Sequence, residues 1–355
     1  MPVTRRTFLA AGAIAPLLSS CASDLATYRE EPFDQLAARL RVCAASYVAL
    51  KADQPAPTVL VSPCSVQPPL DETSVFQAAS LTKPLAAYVA LKLVAEGKLD
   101  LSAPVSHYLP EGYVHQANPM APPRLAHTDI LPAASLAHIP VFTLLNHSSG
   151  LPNWSREPLS LAFQPGTRWQ YSGEGFMLLQ ALICAVTGLD FERSVSRHAF
   201  VPLSMQHSRL RWTGDLQMQG VTGTSWLGNE SQLTYTQPLA AASLYTTAAD
   251  YARLMQALFT DKAMLTRTLS LPIVVETKLG LSWGLGWGIE TAAHGPYLWQ
   301  WGNNPGFRAF AMMSATTGDG FVLLTNSERG MPLAASLAQQ LIPAEHGVFR
   351  FHMLG

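Results

Sequence analysis

Residues 77–101 read QAASLTKPLAAYVALKLVAEGKLDL. From Pro84 onward the run is apolar on nearly every face except Lys92, the pattern of a helix buried on most sides. Lys83 stands in the first turn, where the helix macrodipole favours anions, so a cation there costs stability unless it has another use. Burial and the positive helix end would both lower its pKa, and a lysine neutral near pH 7 can take a proton from a neighbour. Side chains three residues apart share a helix face, which makes Ser80 that neighbour. A plainer reading stands beside this one: Ser80 as an ordinary N-cap and Lys83 as a snorkelling surface chain.

Composition narrows the classes. The chain has 355 residues, enough for two sizeable cores. Only 13% of them are charged, against roughly 25% in an average domain, and the formal net charge is −1. Arg5-Arg6 is the one basic pair that stands out, so nucleic acid and acidic polymers are not expected partners. No Cys/His pattern has zinc-site spacing, and no phosphate loop or His-Glu-x-x-His occurs, so neither metal nor cofactor is expected.

The N-terminus, MPVTRRTFLAAGAIAPLLSSC, has a basic start, an apolar run too short to span a bilayer, and small residues before Cys21. Residues 4–9 resemble a twin-arginine export signal and residues 18–21 a bacterial lipobox. Residues 1–21 are therefore expected to be a signal segment, with the protein periplasmic or anchored to a membrane through lipid on Cys21. Export permits disulfides. The segments RVCAASYVAL and PTVLVSPCSV read as a hairpin turning at residues 52–56, which brings Cys43 near Cys64 or its neighbour and permits a bridge. Cys184, in an apolar helical segment, reads as core.

Along the chain, residues 33–40 read as helix, followed by the hairpin and then the Ser80 helix. Residues 101–237 alternate Pro-rich loops with helical segments such as FMLLQALICAVTG, and no alternating strand of useful length is expected there. Helix returns at 247–259. Four strands follow, LGWGIE, PYLWQWG, GFRAFAMMS and GFVLLTNSE, separated by turn signals at His294-Gly295, Asn304-Pro305 and Asp319-Gly320, and PLAASLAQQLI closes the chain as helix. Strands at both chain ends with helices between them predict an α/β (α+β) fold: one antiparallel sheet flanked by helices, with an inserted all-α subdomain. The expected division is residues 30–100 plus 240–355 for the sheet subdomain and 101–239 for the mostly helical one.

Several stretches occur in an order that resembles the serine β-lactamase and penicillin-binding-protein superfamily, within it the class C-like branch of esterases and D-amino-acid peptidases. They are SLTKPLAAYVALKLVAEGKLDLSAPVSHYLP, LLNHSSGLP, PGTRWQYSGEGF, AASLYTTAADYARL, GLGWGI, QWGNNPGF and VLLTNS, and they cover nearly all of the chain after the signal. The resemblance implies Ser80 as nucleophile, Lys83 as its partner and Tyr171 as the tyrosine of the family's Tyr-x-Asn element. Pro165-Gly166 forces a turn ahead of TRWQY, which puts Tyr171 on a loop that can be directed into a site. Counting back from the Gly306-Phe307 corner places Gln300-Trp301-Gly302 at the family's third element, with the N–H groups of Ser80 and Asn303 as oxyanion donors. His147 in LLNHSSGLP invites a Ser-His reading, but by the resemblance it belongs to a helix-ending turn.

Two departures bear on substrate. Gly173 stands where many relatives have asparagine, and neutral Gln300 where they have lysine or histidine. Without a cation to meet a carboxylate, β-lactams and D-Ala-terminated peptides should bind less well, which favours neutral esters or amides. Arg308 could replace that charge, though a solvated strand residue is the simpler reading. Trp154, Trp169, Trp226 and Trp301 are candidates for an apolar pocket lining as well as for core. The expectation is a serine hydrolase acting through an acyl-enzyme on a small carboxylic ester or amide. The alternative is a binding protein for cell-wall or β-lactam-like ligands that is inert or traps its acyl group.

Overall fold

The computed structural model describes residues 31–66, 68–121 and 127–354; the expected signal segment and Cys21 lie outside them. The apolar run after Ser80 forms the helix Thr82–Ala95, in which every residue from Thr82 to Leu91 is buried. Leu81, not Ser80, is its N-cap, so the plainer reading of Ser80 does not hold. Ser80 sits in the turn that joins this helix to the strand Phe76–Ala79. Ala79 enters that turn at φ 50°, a left-handed conformation uncommon for a residue with a side chain. The Ser80 carbonyl accepts the Lys83 N–H at 3.0 Å, closing the turn that stacks the two side chains.

Behind this corner stands a nine-stranded antiparallel sheet. Its strands run in the spatial order Gln54–Pro55, Ala45–Lys51, Gly320–Thr325, Phe307–Ser314, Gly295–Asn304, Gly288–Ala292, Leu281–Trp283, Ile273–Glu276, with Val59–Val61 also pairing with Ala45–Lys51. Both chain ends therefore feed one sheet, as expected. Gly320–Thr325 is buried along its whole length, because its two faces meet different layers. The strand packs against the helices Ala248–Thr260 and Met331–Leu341; Val322 and Leu324 belong to the core that includes the first, Phe321 and Leu323 to the core that includes the second. A strand covered on both faces reads as a continuous apolar run, as GFVLLT does.

Three findings differ from the sequence reading or sharpen it. The central region, read as lacking strands, carries the hairpin Tyr113–Gln116 with Thr128–Leu131, in the register Tyr113↔Leu131 to Gln116↔Thr128. The sheet also has two strands, Ile273–Glu276 and Leu281–Trp283, beyond the four expected near the C-terminus. Cys43 and Cys64 are joined, with Cα atoms 5.0 Å apart, across the paired strands Ala45–Lys51 and Val59–Val61. Cys184 is a free thiol packed against the core, its pKa pushed up to about 11 by burial. Among the described residues no single helix is long and apolar enough to cross a membrane.

The strand Gly295–Asn304 pairs with Gly288–Ala292 only as far as Trp299, and with Phe307–Ser314 along its length. Residues 300–304 thus overrun their neighbour on one side, and the Ser80 corner packs against this overrun. Gly302 marks the contact: a Cβ there would lie 2.3 Å from the Ala78 carbonyl oxygen. Glycine is required at 302 by the close approach of the chain's own backbone.

Candidate active site

Lys83 is 1% exposed, and its Nζ stands 3.1 Å from Ser80 Oγ and 2.7 Å from the Ala241 carbonyl oxygen, to which it donates. The Tyr171 ring lies 4.7 Å from the same nitrogen and the Phe176 ring 5.8 Å. None of these neighbours carries a negative charge that would hold the ammonium form. Burial alone lowers the pKa to about 7. The amine is therefore half neutral near pH 7, with one hydrogen directed at Ala241 and a lone pair available to Ser80.

Tyr171 follows the 165–166 turn and precedes the helix Gly173–Thr187, whose N-cap is Ser172. Its phenol is buried, and burial pushes its pKa well up, against opposing hydrogen bonds with Ser80 and Gln300. It stays protonated wherever Lys83 titrates. Gln300 Nε2 donates to Tyr171 Oη at 3.1 Å and to the Trp301 carbonyl at 2.9 Å. With that oxygen already accepting, the phenolic hydrogen is left for Ser80.

The loop bearing Tyr171 is held from behind by His147. Its carbonyl accepts the Gln170 N–H at 2.8 Å, its Nδ1 accepts the Ser172 N–H at 3.0 Å, and its ring lies 4.4 Å from that of Tyr171. His147 follows the helix Val141–Leu145 at φ 59°, so it does sit in a helix-ending turn. Burial, with the nearby Lys83 charge, drives its pKa well down, and the neutral ring carries its proton on Nε2. His147 positions Tyr171 and is not paired with Ser80.

These groups open into a cleft of about 690 Å³, bordered by Ser80, Lys83, Tyr171, Trp301 and Asn303 among others. That is ample for a drug-sized molecule. Gln300 is fully buried behind Tyr171, and Gly302 and Gly173 also lie behind the wall; none of the three borders the cleft. Trp154 and Trp301 do border it. Trp169 packs instead among Trp283, Phe351 and His147, and Trp226 is a surface residue whose carbonyl accepts from Arg329. Arg308 lies outside the cleft on its strand, half-buried: its guanidinium donates to the carbonyls of Asn304 and Phe307 at 3.2 and 2.9 Å, holding the strand turn.

Other residues border the cleft that the sequence did not single out for the site. Tyr235 and Asn304 form one wall, where Asn304 Nδ2 donates to Gln77 Oε1 at 3.0 Å and Gln77 Nε2 to the Leu233 carbonyl at 2.6 Å. Met120 comes from the 113–131 hairpin, tied down where Gln237 donates to the Pro119 carbonyl, and Met353 comes from the C-terminal segment. Asn153, Ser155 and Arg156 border the cleft from the loop after LLNHSSGLP, a stretch legible only as a turn. Among the described residues no group of three or more His, Cys, Asp or Glu could hold a metal ion.

Known proteins resemble this chain to different extents. A class C β-lactamase superposes over 91% of this chain and 98% of its own, with a TM-score of 0.69 at 18% identity. The D-alanine carboxypeptidase AmpC of Burkholderia cenocepacia covers 90% and 100%, with a TM-score of 0.68 at 17% identity; at such identities the likeness is one of fold. Esterase EstB of Burkholderia gladioli is 31% identical over 168 residues, 39% of each chain. The D-alanyl-D-alanine-carboxypeptidase/endopeptidase AmpH of Escherichia coli is 31% identical over 149 residues, 40% of this chain and 38% of its own. The matched part spans about two fifths of these curated relatives. The Beta-lactamase family model matches residues 60–344, four fifths of the sequence, and the chain belongs to the Beta-lactamase family.

Proposed function

We propose that this protein is a serine hydrolase that works through an acyl-enzyme formed on Ser80. The observation that carries the reading is the Lys83 nitrogen 3.1 Å from Ser80 Oγ, its pKa brought to about 7 inside a substrate-sized cleft. Neutral Lys83 takes the Ser80 proton as Oγ attacks an acyl carbonyl. Tyr171, protonated and steadied by Gln300, passes its hydrogen to the leaving oxygen or nitrogen and receives the proton that Lys83 took from Ser80, which leaves the lysine neutral again. The N–H groups of Ser80 and Asn303 are the donors to the developing oxyanion, a type of contact worth roughly 3–4 kcal/mol of barrier. Water, deprotonated by the same lysine, then releases the acid. Carboxylic esters and small amides are the proposed substrates. In favour stand a cleft whose border mixes apolar residues such as Trp301 and Leu239 with polar ones, and the esterase among the relatives. An exported, lipid-anchored location is proposed from residues 1–21, and the Cys43–Cys64 bridge is in keeping with an oxidising compartment.

The test is release of p-nitrophenol from p-nitrophenyl butyrate by the protein and its Ser80→Ala variant. Sustained turnover that disappears in the variant is the expected result. A burst of one equivalent followed by a stall would replace the hydrolase with an acyl-trapping protein. Equal silence of both proteins would favour the binding-protein alternative.

A further inference from the structure

Gly173 lacks a side chain because its place is occupied. A Cβ on Gly173 would meet the Asn153 carbonyl oxygen at 2.5 Å and the Trp154 ring at 3.1 Å. The 153–156 strap therefore fills the room that an asparagine at 173 would use. Asn153 is tied to the helix start by two bonds: its carbonyl accepts the Glu174 N–H and its Oδ1 accepts the Gly173 N–H, each at 3.1 Å. Only the oxygen of a side-chain amide can accept, so this bond fixes which way the amide is turned. Its Nδ2, a double donor, has no partner among the described residues, and Asn153 borders the cleft.

The strap is held firmly enough to act as a fixed surface. Ser155 N–H donates to Glu174 Oε1 at 3.1 Å, and the Ser155 hydroxyl bridges to Glu157. Leu159 N–H donates to Asp129 Oδ2 at 3.1 Å. Those two carboxylates flank one buried imidazole: His115 Nδ1 is 2.5 Å from Asp129 Oδ1, and Nε2 is 3.5 Å from Glu174 Oε1, an ion-pair rather than a hydrogen-bond separation. Arg156, the next residue, also borders the cleft. Its guanidinium has no carboxylate partner among the described residues, and no Asp or Glu lies among the residues bordering the cleft. Apart from Lys83, Arg156 is the only Lys or Arg among the described residues of that border.

We propose that the 153–156 strap is the specificity element of the cleft, with Asn153 donating to a carbonyl oxygen on the acyl group and Arg156 pairing with a carboxylate farther along it. The inference rests on the acyl-enzyme reading and narrows its substrate class to acyl donors that carry a second polar carbonyl and a negative charge. The strap supplies from a neighbouring loop both the amide that position 173 lacks and the cation that position 300 lacks.

Matched esters test it. p-Nitrophenyl hexanoate and the mono-p-nitrophenyl ester of adipic acid differ only in a terminal carboxylate; p-nitrophenyl pentanoate and N-acetylglycine p-nitrophenyl ester differ only in an internal amide. The protein is expected to prefer the adipate and the acetylglycine members by kcat/KM. Arg156→Gln should lower the adipate-to-hexanoate ratio about tenfold, and Asn153→Ala should lower the acetylglycine-to-pentanoate ratio by a similar factor. Ratios that the two variants leave unmoved would overturn the proposal. Dissociation constants of the same esters for Ser80→Ala, with and without Arg156→Gln, separate the strap from the chemistry. Preferential binding of adipate that Arg156→Gln abolishes supports the strap even if no ester turns over; equal binding of adipate and hexanoate overturns it.

Discussion

Lys83 and His346 are both basic groups sealed inside the protein, and the fold treats them in opposite ways. Lys83 meets a carbonyl, a hydroxyl and two aromatic rings, and its pKa falls to about 7. His346 Nδ1 lies 2.7 Å from Glu290 Oε2 and its Nε2 2.9 Å from the Ile342 carbonyl. Two acceptors facing both ring nitrogens call for two N–H groups, the imidazolium. Burial opposes that charge, but the bonds to Glu290 and Ile342 outweigh it and the pKa is raised. Glu290 also accepts the Val348 N–H at 3.1 Å, which fixes the C-terminal segment that brings Met353 to the cleft. A buried base left without a counter-charge is poised to move a proton, whereas one given a counter-charge holds structure.

The signs of the pH effects follow. Lys83 is depressed on folding, so its burden on stability is full below about pH 7 and is relieved as pH climbs toward the unfolded value near ~10.4, where the amine is neutral in both states. His346 is raised on folding, so its contribution is full below an unfolded value near ~6.5 and is lost as pH rises through the folded value.

The comparison breaks most visibly at Lys83. Lys83→Met, which keeps the volume and removes the base, should cut kcat/KM on p-nitrophenyl butyrate by about 10³-fold or more while leaving the melting temperature at pH 6 no lower than in the parent. A large fall in melting temperature would mean that the lysine is structural after all. Next in size, Glu290→Gln leaves a buried imidazole without its counter-charge, and urea unfolding at pH 6 should show a loss of roughly 3–4 kcal/mol. A midpoint unchanged by this substitution would remove the contrast between the two regions. Gln300→Leu takes away the donor to Tyr171 and should lower kcat about tenfold with little change in KM. The smallest expected effect is in the pH profile: kcat/KM should rise with a midpoint near 7, and Gln300→Lys, a cation added beside the site, should move that midpoint down by about one unit. An upward shift would show that Lys83 is not the titrating group.

What could be read beforehand varied with the kind of signal. Thr82–Ala95 was legible because a helix buried on all sides is apolar on all sides, and the spacing of Ser80 and Lys83 already placed them on one turn. The hairpin at Tyr113–Gln116 was not, because its strands are four residues long and mix His115, Gln116, Thr128 and Asp129 with apolar residues. His115 is bonded to Asp129 at 2.5 Å and faces Glu174 at 3.5 Å, a grouping that no local pattern announces. At the site, Tyr171 was legible from its flanking turn and motif, but its hydrogen bond to Gln300 joins residues 129 apart in sequence. The glycine at 302 shows the opposite case: its position was marked, yet its reason, the Ala78 carbonyl, could be seen only once the two strands were packed together.

By itself the sequence determined which segments are sealed in apolar surroundings and which short spacings put Ser80 and Lys83 on one turn, because helix period and hydrophobic burial act over a few residues. Only the tertiary structure decided how far the Lys83 pKa falls, which residues border the cleft around it, and which buried base receives a counter-charge. Desolvation and charge pairing depend on every atom within a few ångströms, and most of those atoms belong to residues far away along the chain.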